Sequence, residues 1–257
     1  LPDQRRIFNV AIRTIQLEGK KAIYGVGGGI TWDSTWKNEY IETQQKSAVL
    51  YRKNPRFDLI STGKVTDGKL TLQDKHLQRL TEAASYFAYP FDQDKLEQEL
   101  EETCAQLDKE QDYRLRIALK KDGRIELETT PLLPLTDTFR KAKLVEQTAS
   151  LAQPFTYFKT SHRPHLTLKQ QEHIYYNAQG QLLETSIGNL LLELDGKLYT
   201  PPAELGLLKG IYIQQLLDKG RATEKILTLA DLAQAEKIYA CNAVRGLYEL
   251  EIDKGKL

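Results

Sequence analysis

The sequence predicts a mixed α/β (α+β) chain, and three observations carry that prediction. Short apolar runs with strand alternation recur along its length. Three Asp-Gly turns, Asp67-Gly68, Asp122-Gly123 and Asp195-Gly196, each sit between a pair of such runs. Between the hairpins lie longer stretches whose apolar residues recur at helical spacing. At 257 residues the chain has the length of one large domain or two medium ones, each with its own core. With 40% hydrophobic and 28% charged residues, its composition is that of a packed globular chain and argues against disorder.

In chain order, Phe8-Asn-Val-Ala-Ile-Arg-Thr-Ile15 alternates in the strand manner, and Ala22 to Ile30 reads as a second strand broken by glycines. A turn at Asp33-Ser34 leads into a helical run carrying Glu39, Glu42 and Lys46. Phe57 to Ile60 opens the next strand, Thr66-Asp67-Gly68-Lys69 turns it, and Lys69 to Leu72 returns. Asp74 is placed to cap a helix with Leu77, Leu80, Ala84 and Phe87 on one face. A second helix is expected from Asp92 to about Leu107. Two strands follow, Arg114 to Leu119 and Arg124 to Glu128, joined at Lys121-Asp122-Gly123. Arg114 and Arg116 point to the same side of their strand; a substrate carboxylate and surface pairing with Glu126 or Glu128 both suit them. Leu132 to Thr136 reads as a connection. The expected divisions are 1–50, 51–150 and 151–257.

The stretch Thr156 to Lys159 reads as a short strand ending in the lysine, and His162, Arg163 and His165 as a solvated loop. Two histidines three apart, without a Cys/His cluster, do not make a metal site. A helix is expected over Lys169 to Tyr176, then an Asn177-Ala-Gln-Gly180 turn and a strand ending at Glu184. Leu190 to Leu194 and Lys197 to Thr200 form a hairpin. Gly206 and Gly210 lead a helix over Ile211 to Lys219 that closes at Gly220. Thr228 and Asp231 have the spacing of a capping box. Lys237 to Val244 reads as the final buried strand.

The totals exclude several classes of function. A net charge of +1 gives no global attraction to nucleic acid or an anionic membrane, so any anion must be held locally. The two cysteines, Cys104 and Cys241, do not make a disulfide framework; both are expected as thiols in a reducing, cytoplasmic setting. No apolar run reaches the ~20 residues of a membrane span. A chain that starts Leu-Pro-Asp and has no methionine is expected to be part of a longer polypeptide.

Candidate chemistry centres on Lys159 and Glu184. An amine and a carboxylate on neighbouring segments suit a cofactor that needs an amine on its aldehyde and an acid at its ring nitrogen, and pyridoxal phosphate is such a cofactor. The glycine-led helix at Ile211 offers free amides and a positive dipole end to a phosphate.

Five pieces in order carry a family resemblance: Lys159-Thr160, Glu184-Thr185-Ser186-x-x-Asn189, Tyr199-Thr-Pro-Pro202, Gly206-Leu-Leu-x-Gly210-Ile211 and Cys241-Asn-Ala-Val-Arg-Gly246. From about Phe57 to Leu250 the chain resembles the fold-type-IV pyridoxal-phosphate enzymes (class IV aminotransferase-like), and among them the 4-amino-4-deoxychorismate lyases. The resemblance implies a two-domain fold like that of the D-amino-acid aminotransferases, with Lys159 as catalytic residue. It implies a cofactor held by Lys159, Glu184, Arg79 (within His76-x-x-Arg79-Leu80), Ser186, Ile187, Gly210, Ile211, Asn242 and Ala243. Thr62, Arg114, Arg116 and Arg163 are the expected substrate residues, and a homodimer is the expected assembly. Ile60-Ser61-Thr62 departs from the family's Phe-Glu-Thr, and the family's longer N-terminal strand pair is missing.

Phe8 to Ile15, Gly25 to Ser34 and Glu39 to Ala48 resemble the C-terminal end of the chorismate-utilising synthases. In that family the arginine of Ala-Ile-Arg-Thr, here Arg13, touches chorismate, and Glu39 and Glu42 match its Mg²⁺ ligands. Fifty residues cannot rebuild such a site, so no functional metal is expected. The resemblance implies a synthase–lyase fusion making 4-aminobenzoate and pyruvate from 4-amino-4-deoxychorismate, with a glutamine amidotransferase as partner of the full fusion. The rival readings are a branched-chain or D-amino-acid aminotransferase and a non-catalytic docking or dimerisation domain.

Overall fold

The computed structural model describes residues 14–51, 55–148, 154–166 and 171–252. The chain forms two compact units that divide between Pro55 and Arg56.

In the first unit β1 (Ile15–Glu18) and β2 (Lys21–Tyr24) form an antiparallel hairpin turned at Gly19, whose φ is +60°. Most of the strand expected over Phe8 to Ile15, with Arg13, lies outside the described residues. The second strand ends at Tyr24 rather than Ile30, because Gly25 and Gly27 to Gly29 offer no side chains to pack and lose the most entropy on ordering. Helix α1 (Trp36–Tyr51) follows with none of its residues buried. Lys46 sits 2.6 Å from Glu42 and donates to the Gly27 carbonyl at 3.0 Å, and the Ser34 hydroxyl donates to Glu39 at 2.7 Å.

The second unit begins with an antiparallel sheet. Strands β3 (Leu59–Thr66) and β4 (Lys69–Leu70) are joined by Asp67 and Gly68, both at positive φ, the turn that an Asp-Gly pair favours. Helices α2 (Gln73–Phe87) and α3 (Gln93–Ala105) come next, then β5 (Tyr113–Leu119) and β6 (Ile125–Pro131), giving the order β4-β3-β5-β6. Leu72 stands before α2 in the left-handed region, so Asp74 falls inside the first turn and does not cap. Its charge still suits the helix N-terminus. Asp92 does cap α3, accepting from the Lys95 amide at 3.0 Å.

Alternation decides what this sheet does. Leu59, Ser61, Gly63 and Val65 of β3 are buried, and Leu59 and Val65 join Leu77, Leu80, Leu96 and Leu100 of the two helices in one core. Each such leucine contributes roughly 1.5–3 kcal/mol by leaving water. The other face carries Thr62, which pairs in register with Arg116, and Lys64, which pairs with Arg114.

The rest of the chain builds an eight-stranded sheet. Helix α4 (Asp137–Arg140) leads to β7 (Lys141–Glu146), β8 (His173–Tyr176), β9 (Leu182–Thr185), β10 (Asn189–Leu194) and β11 (Lys197–Thr200). A 3-10 turn (Ala203–Leu205) and α5 (Ile211–Asp218) precede β12 (Thr223–Glu224), α6 (Leu229–Gln234), β13 (Lys237–Asn242) and β14 (Gly246–Ile252). The order is β12-β11-β10-β13-β14-β7-β8-β9, and one further pair, Asn189 with Glu184, joins β9 back to β10 and closes six strands into a ring. Leu190 and Leu192 pack with Ile174, Leu182, Ile238 and Leu250.

Three expectations are corrected here. His173 to Tyr176 is strand β8, not the end of a helix, because parallel pairing with β7 outweighs the polar lead-in; Lys169 and Gln170 lie outside the described residues. Strand β13 is not the last, since β14 pairs with it over five residues. Lys159 does not end a strand: residues 154–157 form a turn. The Thr228–Asp231 capping box is present and starts α6. Among the described residues no helix is long and apolar enough to cross a membrane.

Candidate active site

Lys159 is set against the small sheet by its backbone. Its carbonyl accepts from the Ile60 amide at 2.8 Å, Thr160 bridges Leu59, and the Ser161 hydroxyl accepts from the Asp58 amide at 2.8 Å. Phe158 lies against Phe87 and Tyr86, with ring centroids 5.2 and 4.6 Å away, so the lysine emerges from an aromatic wall. A rigid neighbour replaces the expected strand as the element that aims Lys159.

Glu184 is aimed by the tight turn between β9 and β10. The Thr185 amide donates to the Gly188 carbonyl at 2.9 Å, and the Gly188 amide returns to the Thr185 hydroxyl at 3.1 Å. Glycine is required at 188, because a Cβ there would lie 2.5 Å from the Cys241 carbonyl oxygen. Ser186 is tied down by the His173 amide at 3.0 Å, and the Asn189 amide group donates to the Leu208 carbonyl at 2.8 Å. That last bond fixes the approach to α5. Gly210 precedes the helix without a side-chain cap, and a Cβ there would meet Asn189 Oδ1 at 2.1 Å. On the turn from β13 to β14, Asn242 Oδ1 accepts from the Val244 and Arg245 amides, each at 2.9 Å.

These elements enclose a cavity of about 650 Å³. Its lining includes Lys159, Glu184, Arg79, Ser186, Ile187, Gly210, Ile211, Asn242, Ala243, Thr62, Arg114, Arg116 and Arg163, which is every residue of the second unit named above as a candidate. Glu39 and Glu42 belong to the first unit, beside Lys46. Ile187 is 36% exposed. Arg116 lines the cavity and also lies 3.9 Å from Glu128, its cross-strand partner. Arg245 lines the cavity too and donates to the Leu133 carbonyl. Spacing had not marked it, because only the β13–β14 turn brings it in.

The electrostatics are those of a cationic cleft around one acid. Burial lowers the Lys159 amine to about 7, helped by Arg79 and Arg163 and opposed by Glu184. The amine is therefore available as a neutral nucleophile or base near pH 7. Burial pushes the Glu184 carboxyl up, while Arg163 and Lys159 pull it back. Arg163 lines the cavity, and its Nη2 donates to both Glu184 oxygens, at 3.2 and 3.4 Å, so the acid has a guanidinium partner. Cys241, buried on the cavity wall, has its thiol raised to about 12 and is inert packing.

His165 is not in a solvated loop. Its side chain is buried 3.9 Å from Glu184, and burial, Arg163 and His162 together lower its pKa to about 4. It is a neutral imidazole, and the 3.9 Å approach is not an ion pair. His76 is likewise fully buried and held well below the ordinary range, first by burial and then by Arg79 and Lys159. Both are bases with a depressed folded pKa, so the unfolded chain takes up protons first as pH falls below about 6.5. Folding stability is expected to drop between pH 6.5 and 4, with about 3 kcal/mol of the loss at pH 4 from His165 alone. Urea midpoints over that range test this: His165→Asn should flatten the decline, and an unchanged slope would refute it.

The family profile described as amino-transferase class IV matches residues 58–250. The chain belongs to the class IV aminotransferase family. A second profile, for chorismate binding enzymes, matches residues 2–52 of this class IV protein. A Schizosaccharomyces pombe protein named "Putative aminodeoxychorismate lyase" is 26% identical over 198 residues, which cover 70% of this chain and 83% of that protein. Among solved structures, a Mesorhizobium loti "Putative amino-acid aminotransferase" is 29% identical with a TM-score of 0.69, covering 77% of this chain and all of that one. A 4-amino-4-deoxychorismate lyase from Pseudomonas aeruginosa shares the fold at TM-score 0.60 and 21% identity, covering 78% of this chain and 87% of the lyase.

The residues present fit pyridoxal phosphate. A lysine with a depressed pKa, a buried acid, an arginine whose Nε has no partner among the described residues and an uncapped helix N-terminus led by glycine share one cavity. Each supplies what one part of that molecule requires: the aldehyde, the ring nitrogen and the phosphate.

Proposed function

We propose that this class IV aminotransferase-family protein is a pyridoxal-phosphate-dependent lyase that converts 4-amino-4-deoxychorismate to 4-aminobenzoate and pyruvate. The observation that carries the reading is the cavity itself, where Lys159 and Glu184 are enclosed by Arg79, Arg114, Arg116, Arg163 and Arg245. A substrate with two carboxylates suits such a cationic wall. The chorismate-binding match on the same chain favours this substrate over an amino acid. A synthase fragment sits sensibly beside the enzyme that consumes the synthase product.

Lys159 would hold the cofactor aldehyde, Glu184 its ring nitrogen, and Arg79, Gly210, Ile211, Asn242 and Ala243 its phosphate. When bound, the cofactor supplies a conjugated ring that accepts electrons. Lys159 Nζ, whose neutral form is well populated near pH 7, takes the proton from C4 of the substrate ring. The C3–O bond breaks with its electron pair on oxygen, the departing enolpyruvate takes up one proton in place of the one removed from C4 to become pyruvate, and the six-membered ring becomes aromatic. Aromatisation provides much of the driving force, so the side chains need only position the substrate, exclude water and hold charge. Arg114 and Arg116 share one face of β5 and are assigned to substrate carboxylates, with Thr62 beside them.

The deciding experiment mixes the protein and pyridoxal phosphate with enzymatically made aminodeoxychorismate. Equal amounts of 4-aminobenzoate and pyruvate, formed without any added 2-oxo acid, are expected. The likeness to the M. loti aminotransferase supports the rival reading; amino-group transfer to 2-oxoglutarate, without pyruvate release, would establish it instead. Failure to capture the cofactor at all would favour a docking or dimerisation role.

A further inference from the structure

We propose that Ser61 and His76 are positioning residues for Arg79: Ser61 Oγ anchors one end of the guanidinium and His76 anchors Ser61, so that the remaining N–H groups are presented to a phosphate. Arg79 Nη2 donates to Ser61 Oγ at 2.8 Å, and Ser61 Oγ lies 2.7 Å from His76 Nδ1. Ser61 and His76 are both fully buried, one on β3 and the other a turn earlier than Arg79 on α2. Two fully buried polar side chains beside an apolar core are costly unless they are hydrogen-bonded, and Ser61 Oγ and His76 Nδ1 satisfy each other while Arg79 reaches from them to the cavity.

The sequence makes room for this chain of bonds. A Cβ at Gly63 would lie 2.5 Å from His76 Nε2, so glycine at 63 is what lets the imidazole lie on the strand. Ser61 is neutral; it accepts from Arg79 without cancelling its charge, as a carboxylate would. Among the described residues no carboxylate forms an ion pair with Arg79, and its buried Nε has no hydrogen-bond partner. A desolvated cation with one donor fixed and others unspent is prepared for an anion. Burial and Arg163 lower Arg79 only to about 10, so it remains a cation at neutral pH.

This inference rests on the pyridoxal phosphate reading, and the test separates the two. The cofactor-free protein is titrated by absorbance with pyridoxal phosphate and, in parallel, with pyridoxal, which lacks the phosphate. Wild type should prefer the phosphorylated form. Ser61→Ala should weaken pyridoxal phosphate binding by about 10-fold, the loss expected for one hydrogen bond to a charged group, and leave pyridoxal within about twofold. Ser61→Thr, which keeps a hydroxyl, should restore the preference. If Ser61→Ala does not fold, His76→Asn read in the same way carries the expectation. Equal weakening of both compounds, or no change for either, overturns the positioning role. A wild type that does not distinguish the compounds overturns the cofactor reading itself.

Discussion

Replacing Lys159 by alanine is expected to lower pyruvate release by at least about 10³-fold and to abolish the visible absorbance of protein-bound pyridoxal phosphate. A positioned base alone is worth about 10²–10⁴ in rate, and this side chain is assigned both the base role and the bond to the cofactor. The same residue carries a stability cost. The folded pKa is depressed from 10.5 to about 7, so the unfolded chain binds the proton more tightly between these values. Stability therefore rises with pH from about 7 to 10.5, and the cost is fully present below pH 7. Lys159→Met keeps the stem and removes the charge; it should stabilise the cofactor-free protein by about 2–4 kcal/mol at pH 7. Calorimetry of the cofactor-free variants reads the second effect and a spectrum with added cofactor reads the first. A yellow, active Lys159→Ala protein would end the assignment.

Glu184→Gln should reduce activity by about 10²-fold while keeping the shape of the site. The ring nitrogen would lose its acidic partner, and Arg163, whose side chain is 16% exposed, would lose its buried counter-ion. Leaving that guanidinium unbalanced should destabilise the fold by about 1–3 kcal/mol. Adding Arg163→Met to Glu184→Gln should recover part of the stability, because the lone cation is then gone, but none of the activity. Full activity in Glu184→Gln would remove the acid from the mechanism. An additive loss of stability in the double variant would show that the two side chains are not coupled.

Particular residues show how much was legible beforehand. Asp67-Gly68 and Asp195-Gly196 announced their hairpins because few residue pairs accept positive φ at both positions. The leucines of α2 and α3 announced helices because their spacing leaves one apolar face. His173 to Tyr176 was misread because four residues after a polar lead-in have no period of their own, and the parallel partner β7 lies far back in the sequence. Strand β14 is legible in the sequence, since Tyr248-Glu249-Leu250-Glu251-Ile252 alternates apolar and charged residues and its burial follows that alternation; β13 supplies the partner.

The same divide runs through the site. Glycines, the lysine and the acid stand out in a sequence because turn geometry and cofactor chemistry each restrict residue type. His165 beside Glu184, Arg163 on its oxygens and Ser61 bonded to both His76 and Arg79 do not, since charge state and hydrogen bonding depend on what lies across a fold. By itself the sequence determined the order of most elements and the residues around one cavity. Only the tertiary structure decided which of those side chains are buried, which are paired and which remain open to a ligand, because desolvation and partner distance exist only once the chain has folded.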